Sequence, residues 1–166
     1  INDNGSSNEN TDLYLVELFG DSAALTFEVN VPYGAHIALN EMTGMLYIVN
    51  QRTGAVQSYN PVTDAFGSIV ATGIGNRVEQ AAFGDASNMI IGSTLSGTLF
   101  EYNIGTMTVT PVASAPFMGG DVELASNGDI IAGINGLDEL YNVTTGTTIA
   151  PIVGGVVGIA TLGNDN

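Results

Sequence analysis

The sequence predicts an all-β fold, a β-propeller of four-stranded antiparallel blades, and three observations carry that prediction. Apolar and polar residues alternate: Leu25, Phe27, Val29 and Val31 share one side of a run while Thr26, Glu28 and Asn30 share the other, the periodicity of a half-buried strand. Twenty-two glycines, many in TG, NG, SG and GG pairs, supply the left-handed positions that tight hairpins need. Finally, MLYIVNQRTGAVQSYN at 45–60 returns in looser form as NMIIGSTLSGTLFEYN at 88–103 and GDIIAGINGLDELYN at 128–142. The pairs Tyr59-Asn60, Tyr102-Asn103 and Tyr141-Asn142 that end these stretches lie 43 and 39 residues apart. Such a period, split into four short strands, suits one blade, which cannot bury both its faces and must stack on its neighbours.

Taken in order, with strands lettered a to d from the axis outward, the chain opens with an Asx- and Ser-rich stretch, 1–11, read as a flexible linker, and continues as a propeller over 12–166. The first unit, 12–33, holds a weak copy of the repeat, DLYLVEL, and only the c and d strands, 13–18 and 23–31. The second unit, 34–74, gives strands at 36–40, 45–50, 55–60 and 65–71; the third, 75–116, at 79–83, 89–93, 98–103 and 107–113. The fourth, 117–153, gives 121–125, 129–133, 139–143 and 147–153, and an isolated inner strand follows at 157–162. VEQAAF at 78–83 is the one helix-tolerant patch and is too short to sustain a helical period. The total is roughly three and a half to four blades of about 42 residues, with one b strand missing. A small ring closed by strands from both ends would remove open edges. The missing b strand instead favours part of a larger propeller, completed by flanking blades or by a second copy.

Composition narrows the partners. Seventeen acidic residues face two arginines and no lysine, a net charge of -15, so nucleic acid and anionic membranes are repelled. A hydrophobic fraction of 45% argues against a disordered chain despite that charge. Cysteine is absent, which removes disulfides, thiolate nucleophiles and sulfur-ligated metals. The weakly polar run at 148–163 is too short and too broken by glycine and proline to insert in a bilayer. An acidic surface suits an extracellular or saline setting, and the opening INDNGSSNENTD lacks a signal peptide, as a mature secreted chain would.

The stretch LYIVNQRTGAVQSYNPVT resembles the repeat of YVTN-type propellers, a Tyr-Val-x-Asn strand, a short polar turn and a Val-x-x-Tyr-Asp/Asn-x-x-Thr strand. With PYGAHIALNE and GGDVELASNGDIIAG, the layout is similar to propeller domains of secreted, adhesin-like surface proteins of the Bacteroidetes. The resemblance covers about 12–162 and implies a fold and a cell-surface setting.

If ligands gather where the d–a and b–c connections converge at the channel mouth, the candidate binding residues are Tyr33, His36, Arg52, Arg77, Glu79, Asp121 and Glu123, with Asn50, Gln51, Thr94, Ser96 and Asn135 beside them. His36 is the single histidine, so a His-rich metal site is excluded and any general base is this residue or a carboxylate. Its plainer role is to begin an inner strand. Asp121 and Glu123, two apart on a strand, share a side, and paired carboxylates can cleave glycosides or hold a hard cation; the plainer reading is one channel residue among solvated acids. Arg52 and Arg77 could clamp a carboxylate, or pair with surface acids. The Asx-rich stretches at 2–12 and 163–166 leave calcium open but lack the spacing of an EF-hand or RTX loop, so no cofactor is expected. Nucleotide-binding and nucleophile motifs such as GxxxxGK[ST], GxSxG and HExxH are absent.

The expectation is therefore a non-enzymatic extracellular module that recognises a glycan or protein ligand, or mediates adhesion, within a secreted or surface protein. Two alternatives stand beside it: a lactonase-like or glycosidase-like propeller hydrolase using channel-mouth carboxylates, and a structural assembly subunit completed by a second copy.

Overall fold

The computed structural model describes residues 10–19, 22–32, 34–75, 78–83, 85, 87–93, 96–114, 121–134 and 139–151. Fourteen strands run through them: β1 (Asn10–Phe19), β2 (Ser22–Pro32), β3 (Gly34–Asn40), β4 (Met45–Asn50), β5 (Val56–Asn60), β6 (Ala65–Val70), β7 (Val78–Phe83), β8 (Asn88–Ser93), β9 (Thr98–Asn103), β10 (Thr108–Ser114), β11 (Val122–Leu124), β12 (Ile130–Ile134), β13 (Glu139–Asn142) and β14 (Thr147–Pro151). None of the described residues is helical. The strands make a two-stranded sheet, β1-β2, and three four-stranded sheets in which β3 to β6, β7 to β10 and β11 to β14 pair in chain order, all antiparallel. VEQAAF is strand β7. β1 begins at Asn10, inside the stretch read as linker; residues 1–9 and the inner strand expected at 157–162 lie outside the described residues.

Each blade-like unit is built by the same local chemistry. The b strands β4, β8 and β12 are apolar on consecutive residues, and Ile48-Val49, Met89-Ile90-Ile91 and Ile131-Ala132 are buried on both faces, as a central strand between two packed sheets requires. The outer strand β6 is exposed along almost its whole length. The c strands end in the Tyr-Asn pair for two separate reasons. The tyrosine fills the space towards the preceding sheet: Tyr59 and Tyr102 are buried, and Tyr141 packs on the Ala82, Ile90 and Leu99 cluster. The asparagine shapes the turn that follows. Asn60 Oδ1 accepts the amides of Val62 and Thr63 at 2.9 and 3.2 Å, Asn103 Oδ1 those of Gly105 and Thr106 at 3.1 and 2.9 Å, and Asn142 Oδ1 that of Thr145 at 2.9 Å. Side-chain acceptors of this kind replace backbone bonds that a four-residue turn leaves unmade.

The sheets stack through three apolar clusters. Ala38, Val49 and Val56 meet Val78, Met89, Ile91 and Tyr102 across the first pair of four-stranded sheets, where the Tyr47 and Phe83 rings lie 5.0 Å apart at 64°. Ala82, Ile90 and Leu99 meet Val122 and Ile134 across the second. Val31 of β2 reaches Ile48 and Tyr59. Each fully buried aliphatic side chain contributes roughly 1.5–3 kcal/mol relative to exposure. Along the inner edge β3 adjoins β7, and β7 adjoins β11.

Candidate functional site: an acidic cleft at the inner strands

The three inner strands enclose a cleft of about 520 Å³. It is lined by Ile37–Met42 of the first four-stranded sheet, by Ala81, Ala82, Phe83 and Asp85 of the second, and by Glu123, Leu124 and Ser126 of the third. These are the far ends of β3, β7 and β11 and the connections that lead to β4, β8 and β12. Alternation along β3 explains part of the lining: Ala38 and Asn40 turn inward and are buried, whereas Ile37 and Leu39 are 42% and 49% exposed. These two large apolar side chains stand beside carboxylates from all three sheets, Glu41, Asp85 and Glu123.

The carboxylates differ in state. Burial pushes the Glu123 carboxyl above the ordinary glutamate value, and the nearby charges of Asp121 and Glu41 push the same way against a backbone hydrogen bond from Leu124. Asp85 is held below the usual range by the backbone amide of Ser87 and the side chain of Asn88. Its Oδ1 accepts the amides of Ser87 and Asn88 at 2.6 and 2.8 Å, and its Oδ2 accepts Asn88 Nδ2 at 2.9 Å. The chain of bonds continues from Asn103 Nδ2 to Asn88 Oδ1 at 2.8 Å. A parallel chain in the next sheet runs from Asn127 and Asn142 to Asp129 Oδ2 at 3.0 and 2.8 Å. Among the described residues, no group of three or more His, Asp or Glu side chains is placed to hold a metal ion.

Of the seven residues singled out in the sequence, Glu123 lines this cleft. His36 is half-buried near the start of β3, opposite Val49. Arg52 lies at the exposed turn between β4 and β5, its amide donating to Asn50 Oδ1 at 3.0 Å. That turn is tied down by Thr72 Oγ1 donating to the Gly54 carbonyl at 2.6 Å and by the Val78 amide donating to the Gln51 carbonyl at 3.3 Å. Asp121 precedes β11, and its Oδ1 accepts the Val122 amide at 2.9 Å. Glu79 is the extra residue where the β7–β8 register shifts between Val78 and Gln80. Tyr33 and Arg77, like Thr94 and Asn135, lie outside the described residues. Arg52 and Asp121 therefore sit at the entry end of the inner strands, and the cleft opens towards their exit end. The sequence carried a signal for that end in the acids that follow the inner strands, LNE at 39–41 and FGD at 83–85.

With this geometry in place, solved structures supply the fold. The chain is similar to the Kuenenia stuttgartiensis hydrazine synthase, with a TM-score of 0.57 and 13% identity over 87% of this chain and 42% of that one. It is equally similar to TolB from Acinetobacter baumannii, with a TM-score of 0.57 and 14% identity over 84% and 41%. The chain is a partial β-propeller. It spans less than half the length of either neighbour, and at this identity the likeness concerns the fold alone. No protein-family profile and no curated protein sequence matches the chain.

Proposed function

We propose that this partial β-propeller is a non-catalytic recognition module of a secreted or cell-surface protein, and that its cleft takes a ligand with a cationic group beside an apolar part. The observation that carries the reading is the lining: Glu41, Asp85 and Glu123 stand next to Ile37, Leu39, Met42 and Phe83, with no basic residue among the described lining. A cleft lined by one sign of charge raises the local concentration of the opposite sign, and exposed apolar side chains reward a partner that covers them. A lysine or arginine side chain of a partner protein and an amino sugar of a glycan share that chemistry. The extracellular setting rests on the net charge of -15 and the surface-protein likeness of the repeat.

The test is a peptide and glycan array followed by titration of the best hit. Saturable binding that weakens as salt is raised, and that falls at least tenfold in Glu41→Gln and Asp85→Asn, supports the reading; binding indifferent to both substitutions ends it. The hydrolytic alternative is favoured by one observation, the Glu123 carboxyl inside the cleft, raised by burial, since an upward shift of this kind is how a carboxyl is tuned towards general-acid work. Turnover of an ester or glycoside lost in Glu123→Gln would replace the binding reading with that one.

A further inference from the structure

The three carboxylates of the cleft come from three different sheets: Glu41 follows β3, Asp85 follows β7 and Glu123 lies on β11. Packed sheets stand about 10 Å apart, so acids on successive sheets are separated by roughly one such spacing unless their side chains reach towards each other. Their reaches differ. Beyond burial, the charges of Asp121 and Glu41 bear on Glu123. Asp85 is instead turned back onto its own connection, where its two oxygens take the Ser87 and Asn88 amides and the Asn88 side chain. Among the described residues no three acids converge on a point that could hold a metal ion. The cleft therefore carries two negative poles, Glu41 with Glu123 and, apart from them, Asp85.

The same lining holds Leu39, Met42 and Phe83, and Leu39 and Met42 are 49% and 79% exposed. Open apolar side chains beside charges reward methylene groups, which ask for no hydrogen bond, whereas a peptide segment brings a donor and an acceptor on each residue. The volume, about 520 Å³, falls in the range of small-molecule sites, about 300–1,000 Å³. Resting on the cationic-ligand reading above, we infer that the ligand is an aliphatic diamine or polyamine: one ammonium group is held between Glu41 and Glu123, a second beside Asp85, and the methylene chain lies on Leu39, Met42 and Phe83. An extended chain rises roughly 1.25 Å per bond at ordinary bond lengths and angles, so about six to eight bonds between the nitrogens match the spacing of the sheets.

A chain with a net charge of -15 attracts any dication loosely, so the test turns on spacing and place rather than on charge alone. Calorimetric titration of the full chain at low salt compares 1,3-diaminopropane, 1,6-diaminohexane and 1,10-diaminodecane with hexylamine. 1,6-Diaminohexane should bind at one site per chain, tighter than hexylamine by about tenfold or more, the scale of one charge-assisted hydrogen bond, and tighter than its shorter and longer homologues. Asp85→Asn, which keeps an oxygen for the Ser87 and Asn88 amides, should bring it down to the affinity of hexylamine. Glu41→Gln, at an exposed side chain, is a second variant with the same expected loss. Glu101→Gln, on β9 and outside the cleft lining, should leave the affinity unchanged. Equal affinity for hexylamine and 1,6-diaminohexane would overturn the two-pole ligand while the single-cation reading stands. Diamine binding spread over several sites, or indifferent to Asp85→Asn and Glu41→Gln, would overturn it too, as would no amine binding beside a hit on the peptide and glycan array.

Discussion

Single residues show where this chain departs from its own best solution. The four-residue turns between the c and d strands end in Asp64, Met107 and Gly146, all left-handed, with φ of 51°, 57° and 71°. A side chain in that region costs roughly 1–2 kcal/mol, and only the third turn uses glycine. Met107 is 58% exposed, so Met107→Gly should stabilise the fold by about 0.5–1 kcal/mol after the entropy glycine adds to the unfolded chain, read as a shifted denaturant midpoint. The converse holds at Gly54, where φ is +66° and an added Cβ would come within 2.9 Å of the Gly75 carbonyl oxygen. At Gly44, with φ of +69°, nothing lies within 4 Å. Gly54→Ala should therefore cost more than Gly44→Ala, which is limited to roughly 1–2 kcal/mol of backbone strain. Glu123 gives a pH signature. Its carboxyl binds a proton more tightly in the fold than in the unfolded chain, so its ionisation costs stability. That cost is absent below the ordinary glutamate pKa, about 4.3, and complete once pH exceeds the raised folded value. Glu123→Gln should raise Tm near pH 7, and the difference from the unsubstituted chain should vanish near pH 4. Asp85, held low, has the opposite sign: its contribution is present above the unfolded value and lost as pH falls through its depressed one.

At the scale of the element, the turn asparagines are the parts most worth removing. Asn103 makes two amide bonds across its turn and a side-chain bond to Asn88, and a typical bond of this kind is worth about 1 kcal/mol net. Asn103→Ala should cost about 1–3 kcal/mol in chemical denaturation, and Asn142→Ala, which also removes one of the two side-chain amides that donate to Asp129 Oδ2, a comparable amount. Elements were also where the sequence was most legible. The expected strands at 45–50 and 98–103 are β4 and β9 residue for residue, because a run of apolar residues bounded by Asn and a glycine-bearing turn leaves little freedom of register. Ends were less sharp where no such punctuation exists: β11 is three residues long where five were expected, because Asp121 and Ala125 spend their backbone groups on the Gly133 amide and on the Asp129 carbonyl and Gly128 amide, just outside the strand.

For the molecule as a whole, stability resides between sheets. Met89 is fully buried at the junction of two of them, and Met89→Ala should cost about 2–5 kcal/mol, whereas removal of exposed Val62 should stay within about 0.5 kcal/mol. The cleft was only partly readable in advance for a reason of the same scale. A strand pattern tells which side chains share a face, as it did for Glu123, but not which end of the inner strands leaves a cavity. That depends on how the sheets lean together and on which turns fold away. At the entry end Thr72 and Val78 hold the turn at Gly54 and Gln51, while the exit end carries Glu41 and Asp85 on short turns that line the cleft.

The contacts of each sheet with the next in chain order imply how the molecule yields to tension. Each of the described four-stranded sheets is one continuous stretch of chain, so tension along it would undo them one after another, each releasing some forty residues of slack, as a graded tether does.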